Sequence, residues 1–342
     1  MRILTKFAVL VALILVSAGF VGWLYNYSTV RHYHTLAAPP GEVFIVDGRR
    51  MHIYCTGVGS PTVVIEGGLS DNWIGWQLVQ PGLARVTRVC TYDRAGLGWS
   101  DPDPGQRDAV VIADQLHELL HQAGINDRLL LVGQSAGGLY VCRFATKYST
   151  EIAGLVLVDS TPPESFDRIP SNHETSEQLG ERHRDALLSR FSDTFGLSRI
   201  LNHCAVSVPS SLKAYEPYEQ AEACRPEYET SWLGEMDAFE ISATEAANTK
   251  FGDLPLLIIS QDPDRPKPRW PARDIAANPI WAGMQESLKG LSTHSRRIIA
   301  RGSGHKVQLD RPDVIIDAVS EMILQIRGTE SLPLRYGTTV TQ

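Results

Sequence analysis

The stretch Leu131-Val132-Gly133-Gln134-Ser135-Ala136-Gly137-Gly138 decides the reading of this 342-residue chain. Residues 129–132 are an apolar run of the length of a buried strand. Residues 135–147 read as a helix whose apolar positions are Leu139, Val141, Phe144 and Ala145. The chain must therefore turn from strand to helix around Ser135. A serine at the apex of so sharp a turn sits in a strained backbone conformation, and glycines beside it let strand and helix approach with no Cβ between them. Gly133-x-Ser135-x-Gly137 is thus the pattern of a nucleophile elbow, a strand–turn–helix that lifts a serine hydroxyl above a sheet.

Working outward, residues 61–68 (Pro-Thr-Val-Val-Ile-Glu-Gly-Gly) form an apolar strand that ends in a glycine pair. Residues 88–100 form another, ending in the turn Tyr92-Asp93-Arg94-Ala95-Gly96-Leu97-Gly98-Trp99-Ser100. Gly302-Ser303-Gly304-His305 precedes a helical pattern that begins at Pro312, with Asp310 in position to cap it. Strands are expected at 42–47, 51–56, 62–66, 88–92, 129–132, 154–159, 255–260 and 296–300. Amphipathic helices at 109–123 and 312–327 lie among them. Strands alternating with helices give a mostly parallel sheet covered on both faces, and the first two strands, with no helix between them, fit an antiparallel start.

These motifs, in this order, resemble the α/β-hydrolase superfamily over about residues 42–328, more weakly between 161 and 252. The resemblance implies an α/β fold with a mostly parallel eight-stranded sheet flanked by helices and a helical cap between strands six and seven. The expected organisation is an N-terminal anchor and tether (1–40), a core in two parts (41–160 and 253–328) around a cap insertion (161–252), and a loose tail (329–342). It also implies a site. Ser135 is the nucleophile, and His305, in the loop after the last strand, is its base, since a serine hydroxyl needs one at neutral pH. The acid that orients the histidine is Asp264 by alignment from Pro255, with Asp262 and Asp159 as alternatives. The oxyanion donors are the N–H groups of Ala136 and Leu69, with Gly68 as the alternative to Leu69. Trp73 and Trp76 either line an acyl pocket or pack a helix on the sheet.

The activity implied is cleavage of a carboxylic ester through an acyl-enzyme, on a small and apolar substrate. Aspartate-nucleophile activities of the superfamily, epoxide hydrolysis and dehalogenation, are disfavoured by the serine at 135. Two other readings stay open: an aminopeptidase of the proline iminopeptidase type, for which the insertion offers glutamates such as Glu216, Glu219 and Glu222, and a non-catalytic ligand-binding module. No C-x-x-C pair is present, and neither a metal nor a cofactor is expected. A net charge of −7 with no cluster of Lys and Arg argues against nucleic acid as a partner.

The first residues stand apart from the fold. Arg2 and Lys6 precede an uncharged apolar run at 7–25, close to the roughly 20 residues that span a bilayer. The expectation is an uncleaved signal anchor, with Trp23, Tyr25 and Tyr27 at the outer interface and the catalytic domain on the outer side. A cleaved signal peptide ending at Val16-Ser17-Ala18, giving a secreted enzyme, is the alternative. Of five cysteines, Cys55 and Cys90 fall on strands that are neighbours in this fold, and Cys204 and Cys224 both lie in the insertion. Either these form two disulfides with Cys142 left free, or all five are small buried hydrophobes.

Overall fold

Nine strands form one sheet in the order β1-β2-β4-β3-β5-β6-β7-β8-β9 in the computed structural model, which describes all residues except 1, 37, 170–173, 248, 266–271, 329–338 and 342. The strands are β1 (Glu42–Val46), β2 (Arg49–Thr56), β3 (Thr62–Glu66), β4 (Val89–Tyr92), β5 (Leu129–Gln134), β6 (Ile152–Val158), β7 (Leu256–Gln261), β8 (Ser295–Ala300) and β9 (Thr339–Thr341). The run from β4 through β3, β5, β6 and β7 to β8 is parallel; β1 and β2 are antiparallel additions at one edge. The eight expected strands are all present. A ninth comes from the segment read as a loose tail: Thr339–Thr341 pairs antiparallel with β8.

The central strands are buried on both faces, as a parallel sheet between helices must be. β5 and β6 have no exposed position, and nine of their thirteen residues are Leu, Val or Ile. One face packs on the helices Ala109–Gln122 and Gly137–Lys147, and the other on Pro312–Ile326. Asp108 caps the first of these, accepting from the N–H of Val111 at 2.9 Å. Asp310 does not cap the last. Arg311 occupies that position, and Asp310 instead accepts from the N–H of Gly304 at 2.7 Å and pairs with Arg265, so it braces the loop that carries His305. Cys55 and Cys90 stand directly opposite in the β2–β4 pair and form a disulfide. Trp73 and Trp76 are fully buried: Trp76 packs under the sheet and Trp73 sits edge-on against Tyr54, so both serve packing.

The chain separates into two compact units, and the division differs from the one expected of the insertion. Residues 41–175 and 234–342 form the larger unit, around the sheet; residues 1–40 and 176–233 form the smaller. The insertion is therefore split, and its middle part belongs with the N-terminal helix.

That helix, Arg2–Leu36, is continuous. Of the 1–40 segment expected to hold both anchor and tether, it takes up all but the last few residues as helix. By length and composition the helix meets the requirement for a bilayer span, as a signal sequence near the N-terminus also does. Its second half packs closely on the insertion. A Cβ on Gly22 would stand 2.1 Å from the carbonyl oxygen of Phe195, and one on Gly196, whose φ is +70°, would stand 2.6 Å from the carbonyl oxygen of Gly22. Two backbones touch here because neither residue has a side chain. One turn further on, buried Asn26 donates to the carbonyl of Cys224 at 3.4 Å and accepts from Arg199, and Cys204–Cys224 is the second disulfide. Replacing Gly22 by leucine is expected to break this contact. Limited proteolysis of the detergent-solubilised chain should then cut within 176–233 at protease levels that leave the wild type intact.

Candidate active site

The elbow is built as the glycines require. Ser135 follows β5 with φ of +52°, in the left-handed region where a side chain is costly, and the helix Gly137–Lys147 starts two residues later. A Cβ at Gly133 would lie 2.6 Å from the carbonyl oxygen of Gly137, one at Gly137 would lie 2.4 Å from that of Glu66, and one at Gly138 would strike Ser160. Three close approaches thus explain three glycines. β6 holds the turn from the side: the N–H of Ser135 donates to the carbonyl of Val158, and the N–H of Thr161 donates to the carbonyl of Ser135.

His305 Nε2 lies 3.0 Å from Ser135 Oγ, and His305 Nδ1 lies 2.6 Å from Asp159 Oδ2. A carboxylate only accepts, so Nδ1 carries the proton and Nε2 is left as the acceptor for the serine hydroxyl. Asp159 is fully buried at the end of β6, itself at φ of +41°. Its other oxygen accepts from the N–H of Gln261, at the end of β7, and from Trp281 Nε1. Trp281 stands edge-on to the imidazole, and Gln134 Nε2 donates to the carbonyl of His305 at 3.2 Å. The ring is thus fixed from several sides.

The structure brings Asp159, one of the two alternative acids, to His305 in place of Asp264. Asp264 does not approach His305; it is largely exposed and accepts from Arg301 Nη1 at 2.8 Å. Asp262 is used by its own turn, accepting from Arg301, from the N–H of Gly302 and from the N–H of Asp264. Burial pushes the Asp262 carboxyl up, but those three donors outweigh it and hold it below the ordinary carboxylate value. The reason is topological. β6 lies between β5 and β7, so its C-terminal end emerges beside the serine, and a carboxylate there reaches a histidine loop that follows β8.

The loop after β3 lies beside the serine. A Cβ on Gly68 would come within 3.2 Å of Ser135 Cβ and 2.4 Å of the Gln134 side-chain oxygen. Among the described residues, no acceptor is found for the N–H of Leu69 or of Ala136. Both remain candidate donors to an oxyanion.

A buried ionic network that the sequence did not reveal holds this loop. Arg94, from the turn after β4, donates to the carbonyls of Gly67 (3.0 Å) and Gly68 (2.7 Å) and pairs with Glu66 and Glu235. Glu235, from the helix Pro226–Asp237, also accepts from Arg107 and from the N–H of Ser70, a residue at φ of +57°. Two cations serve one carboxylate: burial pushes Glu235 up, yet the Arg94 and Arg107 guanidiniums prevail and hold it at about 2. Glu66, at the end of β3, is pushed up by burial, only partly offset by Arg94, and accepts from the Tyr92 hydroxyl. Cys142 offers no second nucleophile, since burial pushes its thiol up to about 12.

Glu235→Gln is expected to lower stability by about 3–5 kcal/mol at neutral pH, because it leaves two guanidiniums buried with one fewer counter-charge. A carboxyl held at about 2, below its ordinary 4.5, stabilises the fold above that ordinary value and loses the contribution as pH falls toward 2. The gap in melting temperature between wild type and variant should therefore close from pH 4.5 downward, which melting curves across that range would check.

With this geometry in view, the comparisons agree on the class. The family model of the alpha/beta hydrolase fold matches residues 61–312, and the chain belongs to that family. An uncharacterised protein of Schizosaccharomyces pombe is 25% identical over 86% of this chain, which spans only 58% of that relative's length. Among solved structures, a thermophilic esterase from Thermogutta terrifontis aligns with a TM-score of 0.57 at 20% identity, over 84% of this chain and 99% of that one. A bacterial membrane phospholipase A aligns with a TM-score of 0.56 at 18% identity, over 96% of this chain and 99% of its own. At such identities these two likenesses concern the fold.

Proposed function

We propose that the protein is a serine hydrolase that cleaves carboxylic esters through an acyl-enzyme, with Ser135, His305 and Asp159 as its triad. The observation that carries the reading is the continuous chain of contacts from Ser135 Oγ through His305 to buried Asp159. Ser135 Oγ attacks the ester carbonyl carbon while His305 Nε2 takes its proton. The N–H groups of Leu69 and Ala136 receive the negative charge that develops on the carbonyl oxygen. His305 returns the proton to the departing alcohol as the carbon–oxygen bond breaks. A water, deprotonated by the same nitrogen, then releases the acid and restores the serine. Asp159 stabilises the imidazolium throughout.

The substrate reading is a small apolar ester, met at a membrane held by the N-terminal helix, with the domain on the outer side. Arg2 and Lys6 before the apolar run support that orientation. Two disulfides support it independently, since such bonds persist in oxidising compartments. Parallel assays on p-nitrophenyl esters of two to twelve acyl carbons and on amino-acid anilides test the reaction class. Turnover of the esters is expected; turnover confined to the anilides would make the enzyme an aminopeptidase and overturn the proposal.

A further inference from the structure

Residues 187–201 of the smaller unit carry a run of exposed apolar side chains. Leu187, Leu188 and Phe191 share one face at the end of the helix Ser176–Thr194, and Leu197, Ile200 and Leu201 follow just beyond; all six are 43–65% exposed. Soluble surfaces seldom gather so many large apolar groups in so short a stretch. The charged residues of that helix are concentrated elsewhere: Glu177, Glu181, Arg184 and Asp185 occupy its first half. Within 187–201 the one exposed charge is Arg190, whose long stem lets its head reach polar surroundings.

The same stretch is pinned to the N-terminal helix at a known height. Phe195 and Gly196 touch Gly19 and Gly22. These glycines lie six and three residues before Tyr25, the end of the apolar run, which is about 9 and 4–5 Å along the helix axis. If that run spans a bilayer, the contact runs from the level of Trp23 at the outer interface, at Gly22, down into the acyl chains, at Gly19. An interfacial element buries its apolar face to a similar depth, roughly 5–10 Å.

We propose that residues 187–201 insert into the acyl-chain region of the leaflet that surrounds the second half of the N-terminal apolar run. The smaller unit then holds the membrane by two elements, one spanning and one lying within a single leaflet. This rests on the reading of the N-terminal helix as a bilayer span. A lipid leaflet is the fitting occupant because the stretch that carries these exposed apolar groups is held, through Phe195 and Gly196, against the apolar run itself.

The test uses the full chain in phosphatidylcholine–phosphatidylglycerol vesicles, with an environment-sensitive NBD label on Val16→Cys, Leu188→Cys or Ile200→Cys. The native cysteines do not interfere, because four are in disulfides and Cys142 is buried. Doxyl-labelled lipids should quench all three labels by about two-fold or more, deep doxyl groups acting best on position 16 and shallow ones on 188 and 200. Quenching at 16 with water-like emission at 188 and 200 would overturn the insertion and leave the span intact. Apolar emission at 188 and 200 without lipid quenching would mean that a second copy of the chain covers the patch, and would also overturn it. No quenching at 16 would overturn the span reading, and the depth argument with it.

Discussion

Ser135→Ala is expected to lower ester turnover by about 10⁴-fold or more and to abolish covalent labelling by a fluorophosphonate, while the melting temperature stays close to that of the wild type. The size of the effect follows from the lack of a substitute nucleophile at the elbow. Cys142 is buried with its thiol pushed up to about 12, and the hydroxyl of Ser160 is engaged in donating to the carbonyl of Gly133. The fold should survive because alanine meets the same steric cost at φ of +52° that serine already bears, and because the Ser135 backbone bonds to Val158 and Thr161 do not involve the side chain. Full ester turnover by the alanine variant would show that the geometry around Ser135 serves something other than acyl transfer.

Asp159→Asn should cost about 10³–10⁴-fold in kcat, with Asp264→Asn close to wild type. Asparagine can keep the acceptor that faces the Gln261 N–H and Trp281, but its amide then turns toward His305 Nδ1. Nδ1 must give up its proton to meet a donor, and Nε2 becomes the protonated nitrogen, unable to accept from serine. The loss should fall on kcat and on the rate of fluorophosphonate labelling rather than on folding. Asp262→Asn forms the contrast: it should lower the melting temperature by loosening the turn before 265, with labelling nearly unchanged. Loss of activity in Asp264→Asn with Asp159→Asn intact would reverse the assignment.

The contrast between these aspartates shows where the sequence could be read. The elbow was legible because each of its glycines answers a local steric demand, and a steric demand leaves a mark within a few residues. His305 was legible because a loop after the last parallel strand, β8, and before the helix from Pro312 has only one place to go. The acid was not, because Asp159 follows β6 while Asp262 and Asp264 follow β7, and these neighbouring parallel strands end at the same edge of the sheet. What separates them is Arg301, which occupies the two later carboxylates from a position no spacing rule connects to them. The one local hint lay in Asp159 itself, a carboxylate directly after an unbroken apolar strand, where a buried charge needs a reason. Glu235 carried no hint at all. It is one of many acidic residues in the insertion, and only the fold brings it to Arg94 and Arg107. The split of the insertion was equally hidden, since a helix that reads as a bilayer span gives no sign that its far half also has a protein partner.

That shared interface changes what a shortened form of this protein would be. Trimming the first 40 residues is the customary route to a soluble preparation of an anchored enzyme. Here it would strip Phe195 and Gly196 of the backbone they rest on, leave the Arg199 guanidinium without the Asn26 oxygen, and expose a fresh greasy seam next to an already sticky one. Poor yield or clumping of such a preparation would then report a missing half of a joint rather than a faulty catalyst, and detergent or nanodisc preparations of the whole chain are the sounder starting material.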